Sequence, residues 1–153
     1  MKASILVTLL TLVPFSTQIL VNKCEGVDSV PSVNIISNGL ACEAPPCPVF
    51  LGAVAEMQVN FSSSIYFESL KPNITVIALG AVVPVPPNQQ DGCEGILNTV
   101  CPVVAGETID YIYKLQVYSF FPKIEFTVIF SMVNELKELV TCFSVDLLVK
   151  SKN

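Results

Sequence analysis

Six cysteines constrain this chain more than any other feature: Cys24, Cys42, Cys47, Cys93, Cys101 and Cys142. Their number is even, and all lie beyond an N-terminal segment that reads as a leader. In an oxidising compartment such a set forms three disulfides and staples a small fold. Six cysteines allow fifteen pairings, and sequence alone leaves them open. Closeness in the chain favours Cys42 with Cys47 and Cys93 with Cys101, which would leave Cys24 and Cys142 to tie the two ends of the domain. Zinc is the competing use of cysteine. It is disfavoured because the chain has no histidine and no CxxC pair.

The leader begins with the positive charge of Lys2 and continues through the uncharged, mostly apolar stretch Ile5 to Phe15. That stretch is too short to span a bilayer and fits a secretory signal. The expected division is a signal peptide over residues 1–20, cleaved between Ser16 and Val21, and one domain over residues 21–153. The expected destination is the extracellular space or the lysosomal lumen. Two N-glycosylation acceptor motifs agree with this route, Asn60-Phe61-Ser62 and Asn73-Ile74-Thr75.

Beyond the leader the chain reads as strands. Met57, Val59 and Phe61 alternate with Glu56, Gln58 and Asn60, a period of two that places Asn60 on the polar face. Ile109, Tyr111, Tyr113, Leu115 and Val117 repeat the pattern. So do Ile124, Phe126, Val128, Phe130 and Met132, and then Phe143, Val145, Leu147 and Val149. Further strands are expected near Ser32–Ile36 and along Ile74–Val83, the second apolar on both faces. A turn is expected within Ser131–Val140. Short alternating strands broken by Pro and Gly turns predict an all-β, antiparallel sandwich. The chain has no Trp, so the core of an antibody domain is not reproduced.

The catalytic inventory is poor. Histidine, the commonest general base, is missing, and three disulfides would leave no thiol nucleophile. Asp110, Glu125 and Asp146 fall on polar strand faces, where solvated surface is the simplest role. There is no Gly-rich phosphate loop and no calcium loop. No enzyme activity, cofactor or metal is expected. Removing Lys2 with the leader takes the formal charge from −5 to −6, and the chain has no Arg, which argues against nucleic acid. What remains is apolar: 52% of the residues are hydrophobic and 14% charged. Periodicity cannot separate a filled core from sheets that part around a cavity.

An ordered set of motifs supplies that distinction. It comprises Cys24-Glu25-Gly26, Cys42 with Pro46-Cys47-Pro48, Val59-Asn60-Phe61-Ser62-Ser63, Val83-Pro84-Val85-Pro86-Pro87 and Asp91-Gly92-Cys93. Cys101-Pro102 with Gly106, Tyr113-Lys114-Leu115, Phe121-Pro122 and Cys142 complete it. In this order they resemble the ML (lipid-recognition) domain family, in particular its Niemann-Pick type C2 branch and the arthropod relatives that include group 2 mite allergens. The resemblance covers Cys24 to Val149.

The resemblance implies an immunoglobulin-like sandwich of two antiparallel sheets, with the pairs Cys24–Cys142, Cys42–Cys47 and Cys93–Cys101. It implies an internal cavity that holds a sterol, fatty acid or similar lipid, with Val85, Val117 and Phe121 at its mouth. Strand parity adds Phe61, Tyr111, Tyr113, Phe126, Phe130 and Phe143 as wall candidates; plain core packing is the competing role for each. Tyr111 or Tyr113 would offer a hydroxyl to the ligand's polar end. The chain departs from the vertebrate sterol-transfer pattern at Val85, where an aromatic usually sits, and at Phe143, where a Trp often sits. Both change the shape of the pocket. The expected protein is a monomeric carrier for sterol or semiochemical transport, making transient contact with a membrane or membrane receptor. The alternative is an innate-immunity module that presents microbial lipid to a receptor. It would need a basic rim, for which Lys71, Lys114, Lys123 and Lys137 are the candidates.

Overall fold

Ten strands follow one another in the computed structural model, which describes residues 18–152. The expected leader, apart from Gln18 to Leu20, lies outside the described residues. The four-stranded sheet is built from β2 (Ser32–Ser37), β3 (Leu40–Ala41), β5 (Val54–Ser62) and β8 (Thr108–Gln116), in the order β3-β2-β5-β8. The six-stranded sheet contains β1 (Asn22–Lys23), β10 (Leu139–Lys150), β9 (Glu125–Val133), β6 (Lys71–Ala78) and β7 (Ala81–Val85), in that spatial order. Its last member, β4 (Cys47–Phe50), lies alongside β10.

The period-two readings fix which faces meet. Met57, Val59 and Phe61 of β5 and Ile109, Tyr111 and Tyr113 of β8 are buried. They face Val128, Phe130 and Met132 of β9 and Phe143, Val145, Leu147 and Val149 of β10. Alternate residues such as Asn60 and Asp110 are exposed. One register therefore buries the whole apolar set, and a one-residue slip in any of these strands would expose it.

One expectation needs correction. Ile74–Val83 is not one strand but a hairpin. The chain turns at Leu79-Gly80, with Ala78 paired to Ala81. Both turn residues have positive φ, 51° at Leu79 and 77° at Gly80, the sign pair that a two-residue type I′ turn requires. Only glycine adopts it without strain, so Leu79 hid the turn inside an apolar run. The two sheets are antiparallel as expected, with one short parallel addition that the sequence reading did not anticipate. β4 runs parallel to β10, with Cys47 opposite Leu147, whereas every other named strand pair is antiparallel.

Three disulfides tie the strands and loops together. Cys24 and Cys142 are joined where β1 meets β10, and Cys42–Cys47 closes the loop into β4. Cys93–Cys101 braces the segment that begins with a 3₁₀ turn at Gly92–Gly95. That turn packs directly on β8: a Cβ at Gly95 would stand 2.5 Å from the Tyr111 ring, so only glycine fits there. Ile19 is buried and bridges to Val33, extending the four-stranded sheet's interior toward the N-terminus.

Candidate ligand-binding site

The two sheets end in free edges, β8 on one and β7 on the other, and the space between those edges is not filled. A cavity of about 420 Å³ lies there, between Leu115 and Gln116 of β8 and Ile74, Val76, Val85, Phe126 and Val128 of the six-stranded sheet. Pro86, Pro87 and Asn88 cover it from one side; Tyr118, Phe120 and Phe121 cover it from the other. A second lobe of about 250 Å³ continues toward Ala78, Val83, Pro122, Ile124 and Val149. The lobes share Val76, Val85, Phe121 and Phe126, so the Phe121 and Phe126 rings stand at the junction between them. The larger lobe falls within the range of about 300–1,000 Å³ typical of small-molecule sites.

No charged side chain lines either lobe. The wall is built for an apolar guest, because a buried charge without a partner would be costly. Polar groups gather at the rim: Asn88, Gln116 and Tyr118. Asn88 is fixed twice. Its backbone N–H donates to the Tyr113 hydroxyl at 3.0 Å, and its side-chain amide donates to the Lys114 carbonyl at 3.3 Å. The Pro-rich loop is thereby held against β8. Burial raises the Tyr113 hydroxyl above its ordinary pKa, and the bonds from the Asn88 and Gln89 backbones partly offset this. Burial also pushes Tyr111 up, so both phenols stay neutral at physiological pH.

An aromatic cluster closes the mouth. Tyr118 and Phe120 stack at 5.3 Å between centroids, and Phe121 meets Phe120 edge-on at 5.3 Å. Phe120 is 77% exposed, an unusual place for a bare phenyl ring. Leu79 and Val82, on the hairpin beside the smaller lobe, are also exposed. From Leu79 to Gln90 the chain carries no charge.

Of the residues named from sequence, Val85, Phe121 and Phe126 line the cavity. Val117 is buried beside the mouth but outside the lining; its carbonyl accepts from Gly52 N–H and its N–H donates to the Ala53 carbonyl. Tyr111, Tyr113, Phe130 and Phe143 form a filled layer beyond the cavity. Phe130 lies 5.2 Å from Tyr113, 6.3 Å from Tyr111 and 5.6 Å from Phe143 between ring centroids. Phe61 is buried toward the end of the molecule away from the mouth, paired with Ile109. Sequence reading missed Tyr118 and Phe120, although the run Tyr118-Ser119-Phe120-Phe121 carries two aromatics besides the one chosen. It also missed Asn88 and Gln116, whose polarity gave no reason to place them at an apolar cavity. All six cysteines are bridged, and among the described residues no cluster of acidic, Cys or His side chains is placed to hold a metal.

A family model described as ML domain matches residues 18–149 of this chain. The NPC intracellular cholesterol transporter 2 of Canis lupus familiaris is 31% identical over 104 residues, covering 68% of this chain and 68% of that protein. The Bos taurus protein of the same name is 26% identical over 110 residues, covering 72% of each. Among solved structures, a Niemann-Pick type C2 protein from Japanese carpenter ant superposes with a TM-score of 0.70 at 17% identity. The match covers 86% of this chain and 99% of that one.

Proposed function

This chain belongs to the ML domain family, and from that premise we propose that it carries a hydrophobic small molecule in the two-lobed cavity between β7 and β8. The observation that carries the reading is a lining without charge, reached from a rim of Asn88, Gln116 and Tyr118. The cargo class is a sterol, a fatty acid or a similar long apolar compound. Relatives named for cholesterol transport support the sterol side of that class. Val85 supports the broader class, since a small side chain lines both lobes where the vertebrate sterol-transfer pattern usually has an aromatic. Each 100 Å² of apolar ligand surface withdrawn from water contributes about 2.5 kcal/mol before the entropy lost on binding is subtracted. The rim amides would orient a polar end at the mouth rather than at Tyr111. The role is non-enzymatic.

The division into a leader over residues 1–20 and a lipid-binding domain over residues 21–153 is part of the same proposal, as is a monomer that is secreted or lumenal. Three disulfides suit an oxidising compartment. The burial of Ile19 against Val33 moves the proposed boundary from residue 20 to the N-terminal side of Ile19, still within the expected Ser16–Val21 window. Exchange with a membrane would take place through the uncharged rim, where Phe120, Leu79 and Val82 are exposed. The innate-immunity alternative finds less support. Lys71 lies at the opposite end of β6, paired with Val133, and Lys114 faces outward opposite Glu56; of the candidate lysines only Lys123 adjoins the mouth.

Titration of the purified protein with a fluorescent fatty acid and a fluorescent sterol tests the proposal. Saturable binding at one site per chain, displaced by an unlabelled competitor, is expected for at least one probe. Absence of saturable binding for both would contradict it.

A further inference from the structure

We propose that the broad groove on the outer face of the four-stranded sheet is the seat of an N-linked oligosaccharide carried by Asn60, so that the chain's own glycan occupies it. The groove, about 690 Å³, is lined by Ser32, Asn34, Gln58, Asn60, Asn98 and Asp110. It lies on the opposite side of the sheet from the apolar core. Asn60 begins an acceptor motif, Asn60-Phe61-Ser62, and β5 turns Asn60 outward while burying Phe61.

The side chain is aimed along the sheet. Asn60 Nδ2 donates to Asp110 Oδ1 at 2.5 Å, across the β5–β8 pair. Asp110 is itself fixed, because its N–H donates to Asn98 Oδ1 at 2.9 Å while Asn98 Nδ2 donates to the Thr108 carbonyl at 2.8 Å. Nδ2 has two hydrogens. Attachment replaces one of them and leaves the other for Asp110. In the transfer Nδ2 attacks C1 of a lipid-diphosphate-linked oligosaccharide: the N–C1 bond forms, the C1–O bond breaks, the lipid diphosphate leaves, and one amide proton is lost. No oxidant or reductant is needed.

The groove then offers what a sugar seeks. Asn34 Nδ2 donates to Gln58 Oε1 at 3.3 Å, and the floor of Ser32, Asn34, Gln58 and Asn98 presents the amide and hydroxyl groups with which sugar hydroxyl and N-acetyl groups pair. Ser32 pairs with Asn60 and Asn34 with Gln58, which makes Asn34 a diagonal neighbour of Asn60, about 7–8 Å away and within reach of the first sugars. Leu97, 65% exposed and pinned by its N–H to the Asp110 carbonyl, supplies an apolar contact beside them. Asn73 provides the contrast: it stands on the outer face of the other sheet, opposite Ser131.

The inference rests on the secretory reading, and Asn73 separates the two. The full-length chain would be secreted from eukaryotic cells and treated, folded and then reduced and unfolded, with an endoglycosidase that cuts between the two core N-acetylglucosamines. Release at each site would be followed by peptide mass spectrometry. In the folded protein, release at Asn60 is expected to be at least about tenfold slower than at Asn73, with equal rates after unfolding. Asn34→Ala should raise the Asn60 rate toward that of Asn73. Equal rates in the folded protein overturn the seat, as does a chain glycosylated at Asn73 but not at Asn60. A secreted chain bearing sugar at neither position overturns the seat and leaves the secretory reading standing, whereas a chain that never reaches the medium overturns both. Lipid binding by Asn60→Gln should be unchanged, so loss of the seat leaves the carrier proposal standing.

Discussion

The Asn88 backbone N–H donates to the Tyr113 hydroxyl across 3.0 Å, and this bond joins the rim of the cavity to the packed core beneath it. Tyr113 is fully buried against Phe130, whereas Asn88 is exposed at the mouth. Tyr113→Phe removes the acceptor while keeping the ring. The expected cost is about 0.5–1.5 kcal/mol, the range for losing one hydrogen bond whose stranded N–H sits on an exposed residue, and denaturant unfolding would measure it. Loosening of the Pro86–Asn88 cover should also speed ligand dissociation, read by stopped-flow displacement. An unchanged dissociation rate would separate this bond from the gate.

Val85 and Phe121 belong to both lobes and should respond in opposite directions. Val85→Trp fills space that is empty, so stability should hold while affinity falls by about tenfold or more, equivalent to about 1.4 kcal/mol. Phe121→Ala should open the junction and shift preference toward bulkier probes. Paired titrations with a fatty acid and a sterol would read both effects.

The Cys24–Cys142 bridge spans 118 residues and Cys42–Cys47 only 5. Loop-closure entropy assigns about 5 kcal/mol to the long link and about 2 kcal/mol to the short one. Replacing each pair by Ala and comparing denaturant midpoints should give that order. Loss of the short bridge costing as much as loss of the long one would point to native-state strain or packing instead.

Much of the sandwich was legible because period two is a property of the strand itself. Met57 to Phe61 and Ile109 to Tyr113 needed no tertiary information to reveal their buried face. The hairpin within Ile74–Val83 was not legible, since Leu79 takes a positive φ that its side chain does not advertise. The parallel docking of β4 was not legible either, because four residues carry too little pattern to set direction. The cavity was only half visible. Phe126 and Phe130 share a strand and a parity, yet one lines the cavity and the other fills the core. Position along the strand decides between them, and that depends on where the two sheets part.

Glu135 gives the fold an acid-sensitive tie at the end away from the mouth. Its carboxylate accepts from the Glu68 and Ser69 backbone amides at 3.1 and 3.2 Å. Its own backbone N–H, together with those of Ser69 and Glu68, holds its pKa below the usual glutamate value against a smaller opposing effect of burial. A depressed carboxylate contributes stability that is present above the unfolded pKa and lost as pH falls through the lower folded one. Protection of the Glu68 and Ser69 amides from hydrogen exchange, corrected for the intrinsic rate, should therefore persist at pH 5 and fall below about pH 4. In Glu135→Gln the pH dependence should disappear.

The most direct test of carriage is native mass spectrometry of the protein secreted from eukaryotic cells, beside Val85→Trp made in the same way. The account predicts one co-purifying apolar molecule per chain in the parent protein, depleted in the variant. A parent mass without cargo, together with no uptake of added sterol or fatty acid, would contradict it; so would cargo retained equally by both proteins.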